Sequence, residues 1–274
     1  MKLFSPAKIN LSLKILGKRK DGYHNIKSIF QTVSLYDEIF ISSTKSDKEI
    51  EFVCKPEVTK NPEENLAYKA WELLKEHTGE KRKVKIEIIK NIPVGAGLGG
   101  GSSDAGSILK GLAKFWDIKI SINELKKLAL KLGADVPFFL YGGKCLVEGI
   151  GEKIRKLNPE NQERNNYILL IWPGFGIPTK EIYEMFDKFY CKKKVYTTQY
   201  PINDLEEVVF RKYPELKKIK EKLIELGAKF SLMSGSGSTI FGVFEKRESA
   251  VKAKNQFRKY KTWLVRPVYR VSSS

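Results

Sequence analysis

The chain is poor in the residues that build metal centres and disulfide frameworks. Among its 274 residues there are two histidines, His24 and His77, and three cysteines, Cys54, Cys145 and Cys191. Two histidines make a histidine-rich metal site or a Ser-His-Asp triad hard to build. The odd number of cysteines, widely spaced and without a Cys-x-x-Cys pair, argues against a disulfide framework or a zinc site. We therefore expect reduced thiols and no protein-ligated metal.

The sequence also lacks a long apolar run. No stretch approaches the roughly 18 consecutive apolar residues of a membrane span. The first residues alternate lysine with apolar side chains instead of forming the core of a signal peptide. We therefore expect a cytoplasmic protein without a membrane partner. With 42% hydrophobic residues, the chain can bury a substantial core in one large domain or two ordinary ones.

Acidic residues are outnumbered by basic ones, and the formal net charge is +18. Such a balance often indicates a polyanionic partner. Here, however, the lysines are spread through predicted helices and strands, as in Lys126-Lys127 and Lys217-Lys218, which is typical of solvated faces. We expect no nucleic-acid partner, and a positive field that speeds the encounter with phosphorylated small molecules. A basic RNA-binding module is the alternative from another functional class.

Apolar periodicity predicts a strand-rich first half. Ile9, Leu11, Leu13 and Ile15 alternate with other residues, the pattern of a half-buried strand, and residues 17–22 form its turn. Further strands are predicted at residues 38–42, 49–54 and 83–90. Helices are predicted after a cap at Asn65, from about residue 102 to 116, and from a capping box at Ser121 and Glu124 to Gly133.

A polar stretch at residues 158–166 predicts a domain boundary, with one domain at residues 1–158 and a second at residues 159–274. The second half mixes strands and helices, which suggests an α+β sandwich of ferredoxin-like type whose final strand returns to the first domain. The predicted strands are residues 167–172, 228–233, 239–244 and 263–271, and the predicted helices are residues 179–190, 214–226 and 247–260.

The strongest local signal is a glycine-rich segment between a predicted strand and a predicted helix, with five glycines in residues 95–101. Glycine admits left-handed conformations and close ligand approach, so successive N–H groups line an anion-binding concavity. The N-terminus of the following helix adds free N–H groups and partial positive charge, which favours phosphate. A flexible glycine turn is the alternative. The predicted phosphate loop consists of Pro93, Val94, Gly95, Ala96, Gly97, Leu98, Gly99, Gly100, Gly101, Ser102 and Ser103.

Other glycine-rich motifs fit this segment less well. It is not a Walker loop, because no Gly-Lys-Ser or Gly-Lys-Thr is present. The spacing Gly95-x-Gly97-x-x-Gly100 matches the dinucleotide fingerprint, but that fold requires a parallel strand ending in an acidic residue about 20 residues later. The sequence there is helical, which argues against a dehydrogenase.

Three segments, in order, resemble the motifs of the GHMP kinases, the family of galactokinase, homoserine kinase and mevalonate kinase. They are residues 5–11 (SPAKINL), the phosphate loop, and residues 233–239 (MSGSGST). From its residues alone, the third segment is a small-residue turn, either structural or functional. The resemblance covers nearly the whole chain. It implies an α+β GHMP kinase two-domain fold, with a ribosomal-protein-S5-like N-terminal ATP-binding domain, a ferredoxin-like C-terminal substrate domain and the active site between them.

Further residues narrow the resemblance to one subgroup of the family. They are Pro6 to Leu11, Asp21-Gly-Tyr-His24, the triple glycine of the phosphate loop, and Gly133-Ala-Asp135-Val-Pro137. This subgroup transfers the γ-phosphoryl group of ATP to the 2-hydroxyl of a cytidine diphosphate conjugate of methylerythritol. The resemblance implies Lys8 and Asp135 as the catalytic pair. Another GHMP kinase, such as a homoserine or mevalonate kinase, is the alternative within the class.

Residue chemistry bears on this pair independently. Asp135 follows a helix-ending glycine and precedes Val136-Pro137, a junction from which a carboxylate can face a cleft and accept a hydroxyl proton. The alternative is a turn or capping residue. Lys8 lies in a strand whose apolar neighbours Ala7 and Ile9 point to the other face, which lets its ammonium orient Asp135. The alternative is an exposed strand lysine.

The resemblance also implies ligand-binding residues by position. A cytosine ring needs stacking surfaces and partners at its edge. Tyr23, Phe30 and Tyr183 are the candidate stacking walls, although Phe30 is as readily a core residue. His24 is the candidate edge-reading group and Asn10 the contact to the sugar alcohol. The candidates on the adenine side are Asn65 and Lys90.

The implied cofactors are ATP and Mg²⁺. Ser102 and Ser103 are placed to hydrogen-bond phosphate or reach the magnesium ion. Asp104, where some relatives carry asparagine, either disturbs or assists the ion. We expect a small-molecule substrate and a monomer or weak homodimer.

Overall fold

The computed structural model describes residues 1–190 and 201–269, and contains two β-sheets with helices on their outer faces. Cys191 and the end of the strand predicted at residues 263–271 lie outside the described residues. Among the described helices, none is long and apolar enough to cross a membrane.

The first sheet is built around two long antiparallel strands joined by the predicted turn. Its strands are β1 (Lys2–Lys18), β2 (His24–Ser42), β3 (Ile50–Lys55), β4 (Val84–Ile89), β5 (Lys144–Gly149) and β6 (Lys153–Lys156). They run in the order β3-β4-β2-β5-β6, with β1 pairing on β2. Sequence periodicity found only the end of β2, because buried Ser28, Gln31 and Thr32 interrupt its apolar alternation. It missed β5 and β6.

Helices pack on one face of this sheet. They are α1 (Leu66–Thr78), α2 (Gly100–Phe115), α3 (Ile122–Leu132) and α4 (Val136–Tyr141). Both predicted caps are confirmed: Asn65 Oδ1 accepts from Ala67 N at 3.0 Å, and Ser121 and Glu124 form the reciprocal capping box. The core beneath the helices joins Ile39 and Ile86 of the sheet to helical side chains such as Trp71. The short helix α4 was not predicted.

The second sheet has the order β10-β7-β9-β8, with every pairing antiparallel. This order, with helices in the two crossovers, is ferredoxin-like and confirms the predicted fold class. Its strands are β7 (Tyr167–Trp172), β8 (Phe230–Met233), β9 (Ile240–Phe244) and β10 (Lys261–Val265). Its helices are α5 (Thr179–Tyr190), α6 (Glu206–Lys212), α7 (Pro214–Glu225) and α8 (Arg247–Asn255).

The last predicted strand is shorter than expected, because β10 ends at Val265. The chain then leaves the second sheet and returns to β2, where Arg266 O accepts from Ser34 N at 2.9 Å and Val268 N donates to Thr32 O at 2.8 Å. Pro267 has no N–H to continue the first ladder. The predicted return of the C-terminal chain to the first unit is therefore present.

The two sheets share an apolar core. Ala7, Ile9 and Val33 of the first sheet belong to one buried cluster with Leu170 and Phe241 of the second. The result is a four-layer arrangement of helices, sheet, sheet and helices. The division of the chain at residues 158 and 159 falls in the connection between β6 and β7, and remains a prediction.

Candidate active site

A cavity of about 400 Å³ lies between the two halves of the chain. It brings segments that are distant in the sequence to one place. They are Lys8 and Asn10 of β1, residues 58–59 and 64–66, Lys90 and the glycine loop, Asp135, Thr179 and Tyr183 of α5, and Gly235 and Ser236 of the third motif.

The glycine loop forms one wall of the cavity. Gly95, Gly97 and Gly99 have φ angles of 67°, 75° and 69°, so left-handed residues alternate along the loop. Helix α2 begins at Gly100, two residues earlier than predicted, and takes part of the triple glycine into its first turn. The backbone N–H groups of residues 94–102 donate to no other described residue. Such an array of free N–H groups at a helix N-terminus is a seat for phosphate.

The third motif contacts the glycine loop directly. Ser234 Oγ donates to Gly97 O at 2.8 Å, and Thr239 N donates to Ala96 O at 3.2 Å. A Cβ on Gly97 would lie 2.0 Å from Ser234 O, so this approach requires glycine. The two glycine loops therefore form one wall, which favours a functional interpretation of the third motif over a simple turn.

Lys8 and Asp135 meet at the base of the cavity. Register shifts between Pro6 and Ala7 and between Asn10 and Ser12 flank Lys8, and such irregularities re-aim side chains near sites. Lys8 Nζ lies 3.3 Å from Asp135 Oδ2 and donates to Asn10 Oδ1 at 2.8 Å. Its side chain is 4% exposed, so the carboxylate compensates a buried charge. The ion pair argues against the exposed-lysine alternative.

Asp135 occupies the N-cap position of α4, yet its carboxylate makes no capping hydrogen bond. It is 34% exposed and lines the cavity. The geometry therefore argues against a capping role and leaves this carboxylate facing the cavity.

The residues predicted for the acceptor lie on the side of α5. Tyr183 lines the cavity, and its ring centroid is 4.9 Å from that of His24. Burial, and then the Asp135 carboxylate, raises the pKa of Tyr183 above its ordinary value, so its hydroxyl stays protonated. His24 Nε2 lies 2.6 Å from Asp187 Oδ1. Tyr23 is 58% exposed and does not line the cavity.

Phe30 is almost completely buried, with 1% of its surface exposed. Its ring lies 5.1 Å from that of Phe138, edge to face, and 4.5 Å beneath Lys8 Nζ. Phe30 nevertheless lines the cavity, so it is both a core residue and part of the site, where it packs against Lys8.

On the opposite side of the cavity, Asn65 and Lys90 also line the wall. Lys90 Nζ bonds to two buried carboxylates, Asp37 and Asp104, the latter at 2.6 Å. Burial opposes the charge on Lys90, but the two carboxylates outweigh it, and its pKa is raised. Burial raises the pKa of Asp104 to about 7 despite the nearby ammonium. Asp37 was not predicted as a site residue, because a strand aspartate at the polar end of β2 resembles a surface residue.

Other predicted phosphate-loop side chains face away from the cavity. Ser103 is fully buried and accepts a hydrogen bond from Ser5 Oγ at 2.8 Å, and Leu98 lies in the core between the sheets. Ser102 does line the cavity. Within residues 1–190 and 201–269 there is no cluster of three or more His, Cys, Asp or Glu side chains able to hold a metal ion.

Two further polar contacts of α5 were not predicted. Thr179 Oγ1 lies 2.9 Å from Ser236 Oγ and links α5 to the third motif. Asp187 bonds to both His24 and Lys18, which ties α5 to the turn between β1 and β2. Neither is visible in the sequence, because each depends on packing between segments that are far apart in the chain.

Two family models match the chain. The model described as the GHMP kinases N terminal domain matches residues 65–143, and the model described as GHMP kinases C terminal matches residues 192–261. Together they span more than half of the sequence. The chain belongs to the GHMP kinase family.

Within this family the chain is similar, over most of its length, to proteins named 4-diphosphocytidyl-2-C-methyl-D-erythritol kinase. The protein of that name from Thermodesulfovibrio yellowstonii is 41% identical over 93% of both chains. The one from Clostridium botulinum is 44% identical over 87% of this chain and 89% of the relative.

Solved structures give the same picture. The crystal structure of a 4-(cytidine 5'-diphospho)-2C-methyl-D-erythritol kinase matches with a TM-score of 0.80 and 33% identity, covering 97% of this chain and 99% of the other. The mevalonate kinase of Methanococcus jannaschii matches with a TM-score of 0.73 at 17% identity, which shows a shared fold alone.

Proposed function

We propose that this chain is an ATP-dependent kinase that phosphorylates the 2-hydroxyl of 4-diphosphocytidyl-2-C-methyl-D-erythritol, in isoprenoid precursor biosynthesis. The observation that carries the proposal is the Lys8–Asp135 pair, facing a cavity whose other wall is a double glycine loop. Relatives more than 40% identical over most of both chains bear the name of that kinase.

In the proposed reaction, Asp135 accepts the proton of the acceptor hydroxyl. The oxygen of that hydroxyl bonds to the γ-phosphorus of ATP, and the bond between this phosphorus and the β-phosphate oxygen breaks, which releases ADP. Lys8, held by Asn10 and Asp135, keeps the carboxylate oriented and places a positive charge where negative charge develops. Asn10 is itself fixed, because its Nδ2 donates to Ser28 Oγ at 2.9 Å.

The free N–H groups of residues 94–102 seat the phosphates of ATP, and Asn65 lies at the adenine side. Magnesium, when bound with ATP, neutralises phosphate charge. Ser102, which lines the cavity and carries a hydroxyl, fits such an ion; Asp104 lines the cavity too, but its Oδ2 is engaged by Lys90. Lys90 contributes to the cavity wall at the adenine side, and the carboxylates of Asp37 and Asp104 compensate its charge.

The acceptor occupies the side of α5. Tyr183 offers a ring at the cavity wall and Tyr23 an exposed ring at the nearby turn, which together bracket the cytosine. His24, held by Asp187, reads its edge. The ring of Phe30 packs against the Lys8 ammonium and helps to hold it in place.

The test is phosphoryl transfer from ATP with magnesium, using 4-diphosphocytidyl-2-C-methyl-D-erythritol, homoserine and mevalonate as acceptors. We expect transfer to the cytidine compound alone. In Asp135→Asn, kcat should fall by roughly 100- to 10,000-fold, the usual contribution of a general base, while the melting temperature stays close to that of the unmodified chain.

The two alternatives have distinct outcomes. Preferential transfer to homoserine or mevalonate would assign another GHMP kinase activity. No transfer to any acceptor, combined with absent ATP binding, would contradict the kinase proposal altogether. Retention of full kcat in Asp135→Asn would remove Asp135 from the role of base.

A further inference from the structure

Residues 202–206 form a short connection, here called the bridging segment. It lies outside the three motifs at residues 5–11, 93–103 and 233–239. It precedes and enters α6. Asn203 is 3% exposed and Glu206 is 9% exposed, so two polar side chains of this short segment are buried. Buried polar groups are retained when they are hydrogen-bonded, and the partners of these side chains indicate what the segment does.

One side of the bridging segment is attached to β1, the strand that carries Lys8. Leu13 N donates to Ile202 O at 2.7 Å, and Asp204 N donates to Leu13 O at 3.0 Å. Asp204 Oδ2 accepts from Ile15 N at 2.8 Å. The segment is thus fixed to the first sheet.

The other side of the segment holds the base of the third motif. Asn203 Nδ2 donates to Met233 O and to Gly235 O, each at 2.8 Å. Glu206 Oε1 accepts from Met233 N at 2.7 Å. Asn203 Oδ1 is also engaged, because it accepts from Leu205 N at 3.0 Å. The Asn203 amide therefore uses both donors to fix two carbonyl groups of the loop.

These bonds determine where the third motif lies relative to the catalytic pair. A Cβ on Gly235 would lie 3.5 Å from Lys8 Nζ and 3.5 Å from Asn10 Oδ1. The N–H groups of Gly235 and Ser236 donate to no other described residue. With the Gly235 carbonyl held by Asn203 on one side, these N–H groups are left for a ligand in the cavity.

We propose that Asn203 is a positioning residue for phosphoryl transfer. By holding the carbonyls of Met233 and Gly235, it presents the N–H groups of Gly235 and Ser236 to the terminal phosphoryl group, next to the first glycine loop and beside Lys8. The inference rests on the proposed function, because it requires the cavity to be the ATP site. It does not depend on the identity of the acceptor.

Asn203→Asp tests the proposal most sharply, since it keeps the side-chain shape and replaces the donating amide with an oxygen facing two carbonyls. Displacement of the loop by about 1 Å costs on the order of 100-fold in rate, so we expect a fall in kcat of that order. Dissociation constants for ADP and for a non-hydrolysable ATP analogue are measured in parallel by calorimetry. Affinity for the analogue should fall while affinity for ADP, which lacks the terminal phosphoryl group, is retained.

The matched control is Asp204→Asn, which lies one residue away and retains an oxygen to accept from Ile15 N. It should leave kcat and both nucleotide affinities unchanged within about twofold, a difference that corresponds to about 0.4 kcal/mol by RT ln 2. If Asn203→Asp does not fold, Asn203→Ser removes the two amide donors without adding charge. This variant should also lower the affinity for the ATP analogue relative to the affinity for ADP.

The outcomes separate this inference from the proposed function. Absence of any adenine nucleotide binding by the unmodified chain would contradict the ATP site itself. Normal ATP-dependent transfer by the unmodified chain, with an unchanged kcat and an unchanged ADP-to-analogue ratio in Asn203→Asp, would overturn the positioning role. An equal loss of both affinities alongside a lower melting temperature would assign Asn203 a structural role only.

Discussion

Two buried lysines beside one cavity have different environments. Lys8 faces a single carboxylate, Asp135, which is 34% exposed to the cavity. Lys90 lies between Asp37 and Asp104, whose side chains are 0% and 3% exposed. The first pair offers a partly exposed carboxylate to a substrate, whereas the second is a buried cluster in the cavity wall, with two carboxylates around one ammonium. Asp104 Oδ1 has no hydrogen-bond partner among the described residues, which adds to the cost of its ionisation.

A pH-dependent stability follows from Asp104. Burial raises its pKa from 3.8 to about 7 in the folded chain. Between these values the folded chain binds more protons than the unfolded chain, so the free energy of unfolding decreases as the pH rises through this window. Asp104→Asn removes the titrating group. The free energy of unfolding of this variant should therefore decrease less, over the same pH window, than that of the unmodified chain. Urea denaturation of both chains measures the difference, and equal pH slopes would contradict the assignment.

At the scale of elements, local signals place the helix starts reliably. The caps at Asn65 and Ser121 were predicted because a short polar side chain precedes an apolar periodic run, and both caps are present. By contrast, α4 has only six residues and β2 carries buried polar residues, so neither shows a clear period. Local chemistry thus predicts where long helices begin better than where strands extend.

The capping box of α3 gives a prediction at this scale. Ser121→Ala removes the oxygen that accepts from Glu124 N at 3.2 Å. We expect the free energy of unfolding to fall by about 1 kcal/mol. Chemical denaturation measures this loss, and Ser121→Asp, which restores an N-cap acceptor, should recover most of it. Since Ser121 lies outside the cavity, kcat should stay unchanged, and a large fall in kcat would show that α3 affects the site.

At the scale of the whole molecule, the two sheets are joined by a common core rather than by surface contacts. The site depends on this arrangement, because Lys8 comes from the first sheet and the third motif follows β8 of the second. The bonds from Ser234 to Gly97 and from Leu13 to Ile202 cross the junction between the two halves of the chain. The relative position of the two sheets therefore sets the geometry of the cavity.

Leu170→Ala tests this shared core. Leu170 is fully buried in the cluster that contains Ile9 and Val33 of the first sheet. Removing its side chain should cost about 2–5 kcal/mol. Because the core belongs to both sheets, a single unfolding transition should shift as a whole in calorimetry. Separate transitions, of which only that of the second sheet moves, would show that the sheets unfold independently.

Much of the fold and part of the candidate site were predictable from the sequence. Glycine spacing between a strand and a helix predicted the glycine loop that lines the cavity, and resemblance to a family predicted the pairing of Lys8 with Asp135. The roles of Lys90 and Phe30 were harder to predict, because their partners Asp37, Asp104 and Phe138 come from distant segments. Burial and charge compensation depend on these partners, and spacing along the chain does not report them.

The sequence by itself determined the helix caps and the glycine loop, because each depends on residues within one turn or one short segment, and it determined the fold class and the family, because these depend on the order of such segments along the chain. Tertiary structure alone decided which side chains face the cavity. Ser103 is buried in the core while Ser102 lines the cavity, Phe30 packs against Lys8, and Asn203 reaches the third motif. The physical reason is that these positions depend on how the two sheets pack against each other, an arrangement made by contacts between residues far apart in the chain.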